Sequence, residues 1–214
     1  MDDDNSVPPV VPHKSDILFG SDRARWQMDA MLDYRPGNDY TYRQGYRRAG
    51  RLLTQSVAER GDADFLVFPI CHAYRHFVEL TLKRLIREGC NAVHREMTAA
   101  EFSLQNNSHS LRALWTAFKV VQDEVSQISG GTLPPDEVEG IEAYIEQLHA
   151  VDKGSFSFRY PLTKDGEVSV GDIERINLGQ FAEYMERLCN YLEGIDLYYG
   201  HLIETWNDMM SDYY

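Results

Sequence analysis

Cysteine is scarce in this sequence, with three in 214 residues, and Cys71, Cys90 and Cys189 form no CxxC pair. That usage excludes a disulfide framework and a zinc knuckle and points to a reducing compartment, so a cytoplasmic location is expected. Long apolar runs are missing too. The most hydrophobic segment is broken by His72, Arg75, His76, Glu79 and Lys83, well short of the ~20 residues that span a bilayer, and no membrane partner is expected. The opening MDDDNSVPPVVPHK has neither the basic start nor the apolar run of a secretory signal, so residues 1–17 read as a disordered, acidic, proline-rich tail. Positive charge is in deficit, 21 Lys and Arg against 34 Asp and Glu for a net −13. Such a field opposes non-specific nucleic-acid binding. No internal repeat and no complete catalytic signature occur.

What is present is one core's worth of apolar residues, 43% of the chain, and residues 18–214 read as a single domain. Charge is unevenly spread. Thr41 to Arg60 holds Arg43, Arg47, Arg48, Arg51 and Arg60 against Glu59 alone, whereas Lys164 to Tyr214 holds eleven acids against three bases.

Hydrophobic periodicity predicts an all-α protein, an up-and-down bundle of five to six helices. A short helix follows Ser21 and ends before Arg35-Pro36-Gly37. Tyr42 to Glu59 is amphipathic, with Arg43, Arg47 and Arg51 along one edge. Asp64 to Glu88 is apolar around most of its circumference and belongs at the centre, Pro69 marking a kink or its first turn and Gly89 its stop. A helical turn is expected at Thr98 to Leu104, then a strong amphipathic helix after Ser108 that Gly130-Gly131 ends. Pro134-Pro135 opens another, running to about Val151. SFSFRYPL alternates apolar and polar residues before a Lys164-Asp165-Gly166 turn, which predicts a small β-hairpin near 156–170. A last helix runs from Asn177 to about Trp206, with interruptions expected near Gly194 or Gly200.

On the central helix His72, His76, Glu79 and Lys83 fall at i, i+4, i+7 and i+11 and share a face, with Arg75 at its edge. Ionisable groups on an apolar helix must be paired or must serve a ligand. One reading is an Arg75–Glu79 pair with hydrogen-bonded core histidines. A zinc hydrolase would need Glu directly after the first His of HxxxH, where Ala73 stands, so no metal or other cofactor is expected.

The run YRHFVELTLKRLI, followed after a connection by HSLRALW, resembles the central helix pair of the HEPN superfamily (higher eukaryotes and prokaryotes nucleotide-binding). Glu79, Leu82, Lys83, His109, Leu111 and Leu114 carry the resemblance, which covers Phe65 to about Phe118. It implies a helical bundle, frequent dimerisation, and roles in metal-independent RNA cleavage, nucleotide binding, or prokaryotic toxin and defence systems. Family members that cleave RNA are similar in pairing Arg with a nearby His, because the 2′-hydroxyl needs a base and the phosphorane a cation. The candidates are Arg75, His76 and His109, or alternatively the pair Arg87 and His94.

Glu79, Lys83, Arg112, Arg159 and Tyr160 are the candidate ligand contacts, Arg159 being a cation set between Phe158 and Tyr160. Arg43, Arg47 and Arg51 either follow a nucleic-acid backbone or are neutralised by the acidic C-terminal half. The partners expected are RNA or a nucleotide, and a second copy or another protein. A non-catalytic interaction module of the same fold is the competing reading.

Overall fold

In the computed structural model, residue 19 and residues 23–32, 39–171 and 173–211 are described. Ser21 and the 1–17 tail lie outside them. The chain divides into two units, Met1–Asn38 and Asp39–Tyr214. In the first, Arg23–Met28 forms a 3-10 turn where a short helix was predicted.

The second unit holds six α-helices and, among its described residues, no strand. They are α1 (Tyr40–Arg60), α2 (Ala63–Ala92), α3 (Ala99–Asn107), α4 (Leu111–Ser129), α5 (Pro135–Val151) and α6 (Leu178–Ser211). Helix α2 is the hub: α1, α4 and α6 all pack on it, α3 touches it, and α5 packs on α4. Its 30 residues extend about 45 Å at the α-helical rise. Ile70, Phe77, Val78, Leu82, Leu85 and Ile86 on α2 are fully buried against Leu111, Trp115 and Phe118 of α4 and Leu188 and Leu192 of α6. Side chains of that size stabilise by about 1.5–3 kcal/mol each when buried. The first turns of α2 depart from the predicted pattern, since Phe65 is 83% and Phe68 42% exposed, and the core stripe begins at Ile70. Pro69 lies inside the helix rather than at its first turn.

Gly89 is not the predicted stop. Helix α2 runs past it to Ala92, and a Cβ there would sit 2.4 Å from Cγ1 of Val121 and 3.1 Å from the Tyr199 ring. The glycine lets α4 and α6 approach α2 at one level. Gly194, by contrast, sits in an unbroken α6 with nothing near its would-be Cβ. Gly89→Ala is therefore expected to destabilise by about 1–3 kcal/mol through overpacking. Gly194→Ala should stabilise by about 0.5–1 kcal/mol, as alanine does in a helix; urea titration of both variants checks the pair of signs.

The predicted hairpin shrinks to one antiparallel bridge, Leu162 to Val168. The Lys164-Asp165-Gly166 turn forms, with Gly166 at φ 82°. Its upstream arm fails to extend because Asp152 Oδ1 accepts from the Phe156 and Ser157 amides at 2.7 and 3.1 Å, winding 155–160 into turns. Pro161 then brings no N–H for a ladder.

The arginine edge of α1 faces α6 and is neutralised there. Arg43 donates to Asp196 at 2.9 Å and Arg47 to Glu186 at 3.0 Å, with further contacts from Arg47 to Glu193 and from Arg51 to Glu186. Arg43 and Arg47 are 2% and 3% exposed, so this stripe joins two helices and offers no free track for a nucleic acid.

Candidate functional site

Helix α2 places Arg75 and Glu79 one turn apart, inward, on the flank that meets the start of α4 and the end of α5. Glu79 Oε2 accepts from Arg75 Nη1 at 2.7 Å. Its other oxygen, Oε1, accepts from Lys83 Nζ at 3.0 Å and lies 2.9 Å from Nδ1 of His109. Arg75 also donates from Nη2 to the His109 carbonyl at 2.6 Å and to the Asp152 carbonyl at 3.3 Å. Its Nε stands 3.0 Å from Asp152 Oδ2, an ion pair whose angle falls short of a hydrogen bond. The Arg75 and Asp152 side chains are 0% exposed and Glu79 is 1% exposed. Three buried charges thus tie α2, α4 and α5 together, and none of them has a face open to solvent.

His109 is different. It precedes α4 in an extended segment held by two serines. Ser108 Oγ accepts from the Ser110 amide at 3.1 Å, and Ser110 Oγ caps the helix by accepting from the Ala113 amide at 3.3 Å. The helix starts at Leu111 for that reason, three residues beyond Ser108, leaving His109 outside the first turn. Its carbonyl is bound by Arg75 and its ring by Glu79, yet its side chain is 54% exposed. A carboxylate at Nδ1 selects the imidazole tautomer with the proton on that nitrogen and leaves Nε2 as a lone-pair base. Nε2 makes no hydrogen bond to the described residues. This is a carboxylate–histidine dyad whose Nε2 is unbonded among the described residues.

Along the same face, His72 and His76 stack with ring centroids 5.6 Å apart and planes at 17°. Tyr46 of α1 meets His76 edge-on at 4.3 Å and His72 at 6.3 Å. Nδ1 of each histidine is buried without a hydrogen-bond partner among the described residues. Burial lowers the His76 pKa to about 4, helped by the charges of Arg75 and Lys83, and lowers that of His72, helped by Arg159 and Arg75. Both are neutral at physiological pH. The Glu79 carboxyl, for which burial alone would favour protonation, is held at about 2 by hydrogen bonds from Arg75, His109 and Lys83.

Asp152, paired with Arg75, anchors the 155–160 turn through the Phe156 and Ser157 amides. Arg159 Nε donates to the carbonyl of Ser155, a non-glycine residue at φ 59°, and its guanidinium lies 5.8 Å from the Tyr160 ring centroid. It pairs with no carboxylate among the described residues, and Tyr160, stacked on Phe156 at 4.5 Å, is half exposed. Lys153 is exposed beside the buried Asp152.

The remaining candidates lie elsewhere. Arg112 forms a two-pronged contact with Glu146 of α5 at 2.7 and 2.9 Å. Arg87 is engaged with Asp39 at 3.0 Å and Glu88 at 3.3 Å, while His94, at φ 56° beyond α2, lies against Trp206 with ring centroids 4.1 Å apart and planes tilted by 34°. Arg87 and His94 thus turn to different partners. A cavity of about 480 Å³ lies between the first turns of α2 and residues 158–178, and none of the ionisable stripe lines it. Among the described residues no group of three or more His, Cys, Asp or Glu is placed to hold a metal ion. Sequence reasoning missed Tyr46 as the ring facing the histidines and Asp152 as the clasp on Arg75. The helix end expected at about Val151 lay next to the second; nothing marked the first.

These protonation states give stability a defined pH profile. His76 binds its proton at about 4 folded against 6.5 in an open chain, so the unfolded state takes up more protons and stability falls as pH drops from 6.5 to 4. Glu79, Glu101 and Glu186 each stand near 2 against 4.5, and their contribution, complete above 4.5, is lost as pH falls toward 2. Melting temperature against pH should show both limbs, and His76→Gln should flatten only the upper one.

No family model matches the chain, and comparison with curated proteins and with solved structures gives no match.

Proposed function

We propose that this chain is a HEPN-like protein that binds RNA in the cytoplasm and cleaves it without a metal, His109 serving as general base. The observation that supports the reading is the buried Glu79 carboxylate on Nδ1 of a half-exposed histidine. In the reaction Nε2 of His109 takes the 2′-hydroxyl proton, the 2′-oxygen attacks phosphorus, and a 2′,3′-cyclic phosphate forms. The 5′-oxygen leaves with the proton returned from the imidazolium, whose charge Glu79 stabilises. Lys83, which shares Glu79 Oε1 with His109, and Arg159, which pairs with no carboxylate among the described residues, supply positive charge for the phosphorane. Arg75 acts as a positioning residue through the His109 carbonyl and Asp152, and His76, neutral and recessed, is not the base.

A second reading has one observation in its favour. Arg75, Glu79 and Asp152 satisfy one another inside the protein, which also suits a non-catalytic, dimeric interaction or nucleotide-binding module. Incubation of the purified chain with a mixed RNA pool, with and without chelator, separates the two. Cleavage that persists in chelator is expected; a pool left intact in both conditions would sink the catalytic reading and favour the module.

A further inference from the structure

Tyr46, His72 and His76 form a half-buried aromatic cluster that the chemistry of the Glu79–His109 dyad does not use. Its rings come from two helices, α1 and α2, so the cluster exists only in the folded bundle. Three features describe what it accepts. The rings are half-buried and mutually ordered, the histidines parallel at 17° and the tyrosine at 80° and 87° to them, so they are preorganised. The Nε2 atoms of both histidines make no hydrogen bond to the described residues, whereas both Nδ1 atoms are sealed inside the protein. Burial, aided by the charges of Arg75, Lys83 and Arg159, keeps both rings uncharged, so the cluster suits a neutral planar group and leaves the anion to its neighbours.

We propose that this cluster is a nucleobase subsite, in which a base of single-stranded RNA is held by ring contact with Tyr46 and the histidines and by hydrogen bonds to their Nε2 atoms. The placement fits a nucleotide: His76 lies three residues, about 4.5 Å of helix rise, from Glu79, which carries His109 and Lys83. In this proposal a base on the cluster has its own phosphodiester at the dyad. Unpaired bases present both a π-face and free edges, whereas a duplex hides them, so the subsite selects single-stranded segments and loops. Tyr46, His72 and His76 are positioning residues here, since none touches the reacting atoms.

This inference rests on the RNA reading above, and the test distinguishes the two. The full chain carrying His109→Ala is titrated with a fluorescent oligouridine and with the same strand made abasic at its central positions. Stacking per base predicts binding of the complete strand about tenfold tighter or more. Adding Tyr46→Ala, or His72→Ala with His76→Ala, is expected to reduce the complete strand to the abasic level, while Tyr46→Phe keeps the preference. Equal binding of the two strands, or a preference that survives both alanine variants, overturns the base subsite and leaves RNA binding standing. Binding of neither strand overturns both. The strand comparison needs no change in the aromatic cluster, so a poorly folded Tyr46→Ala variant does not decide it.

Discussion

Arg75→Ala will cost the fold roughly 3–5 kcal/mol, the range for removing one partner of a buried ion network. The guanidinium is 0% exposed and is the only cation that touches both Glu79 and Asp152 among the described residues. Its loss strands one buried carboxylate, leaves the other to Lys83 and His109, and frees the carbonyls of His109 and Asp152. The damage spreads beyond the pair, because Asp152 also caps the turn that carries Arg159. Arg112→Ala is the control: its contact with Glu146 lies on the surface, both side chains more than a third exposed. Such solvent-screened pairs contribute little to stability. Urea denaturation of the two variants should differ several-fold in free-energy loss, and a loss below about 1 kcal/mol for Arg75→Ala would contradict a sealed, interdependent network.

The second large effect separates chemistry from stability. His109→Ala is expected to lower RNA cleavage by about 10²–10⁴-fold, the usual contribution of a positioned general base. Stability should change little, because the ring is half exposed and Glu79 keeps Arg75 and Lys83 as partners. Circular dichroism melting beside a cleavage time course reads both quantities. A variant that loses activity and melts far below the parent would assign His109 to the scaffold instead.

The centre of this fold was legible because its signals are local and repeat along one helix. The i, i+4 pairing of Arg75 with Glu79 and the apolar sweep from Ile70 to Ile86 need only helical geometry. Errors came where a remote contact outweighed a local rule. Gly89 has the chemistry of a helix stop, yet Val121 and Tyr199, distant in sequence, make it a packing position. The alternation of SFSFRYPL reads as a strand until Asp152 turns its amides inward. Arg43, Arg47 and Arg51 were visible as a stripe, but the identity of Asp196 and Glu186 as their partners depended on where α6 lies. At the site, sequence spacing grouped the stripe without separating its sealed members, Arg75 and Glu79, from its open ones. That division comes from the chain crossing at His109 and the 155–160 turn. Tyr46 faces the histidines only because α1 packs on α2 at that level.

The most direct test of the account is an end-group measurement on one 5′-labelled RNA incubated with the full chain in excess chelator. The account expects products that end in a 2′,3′-cyclic phosphate, formed by the parent protein and lost in His109→Ala. Cleavage unchanged in His109→Ala, or abolished by the chelator, would contradict it.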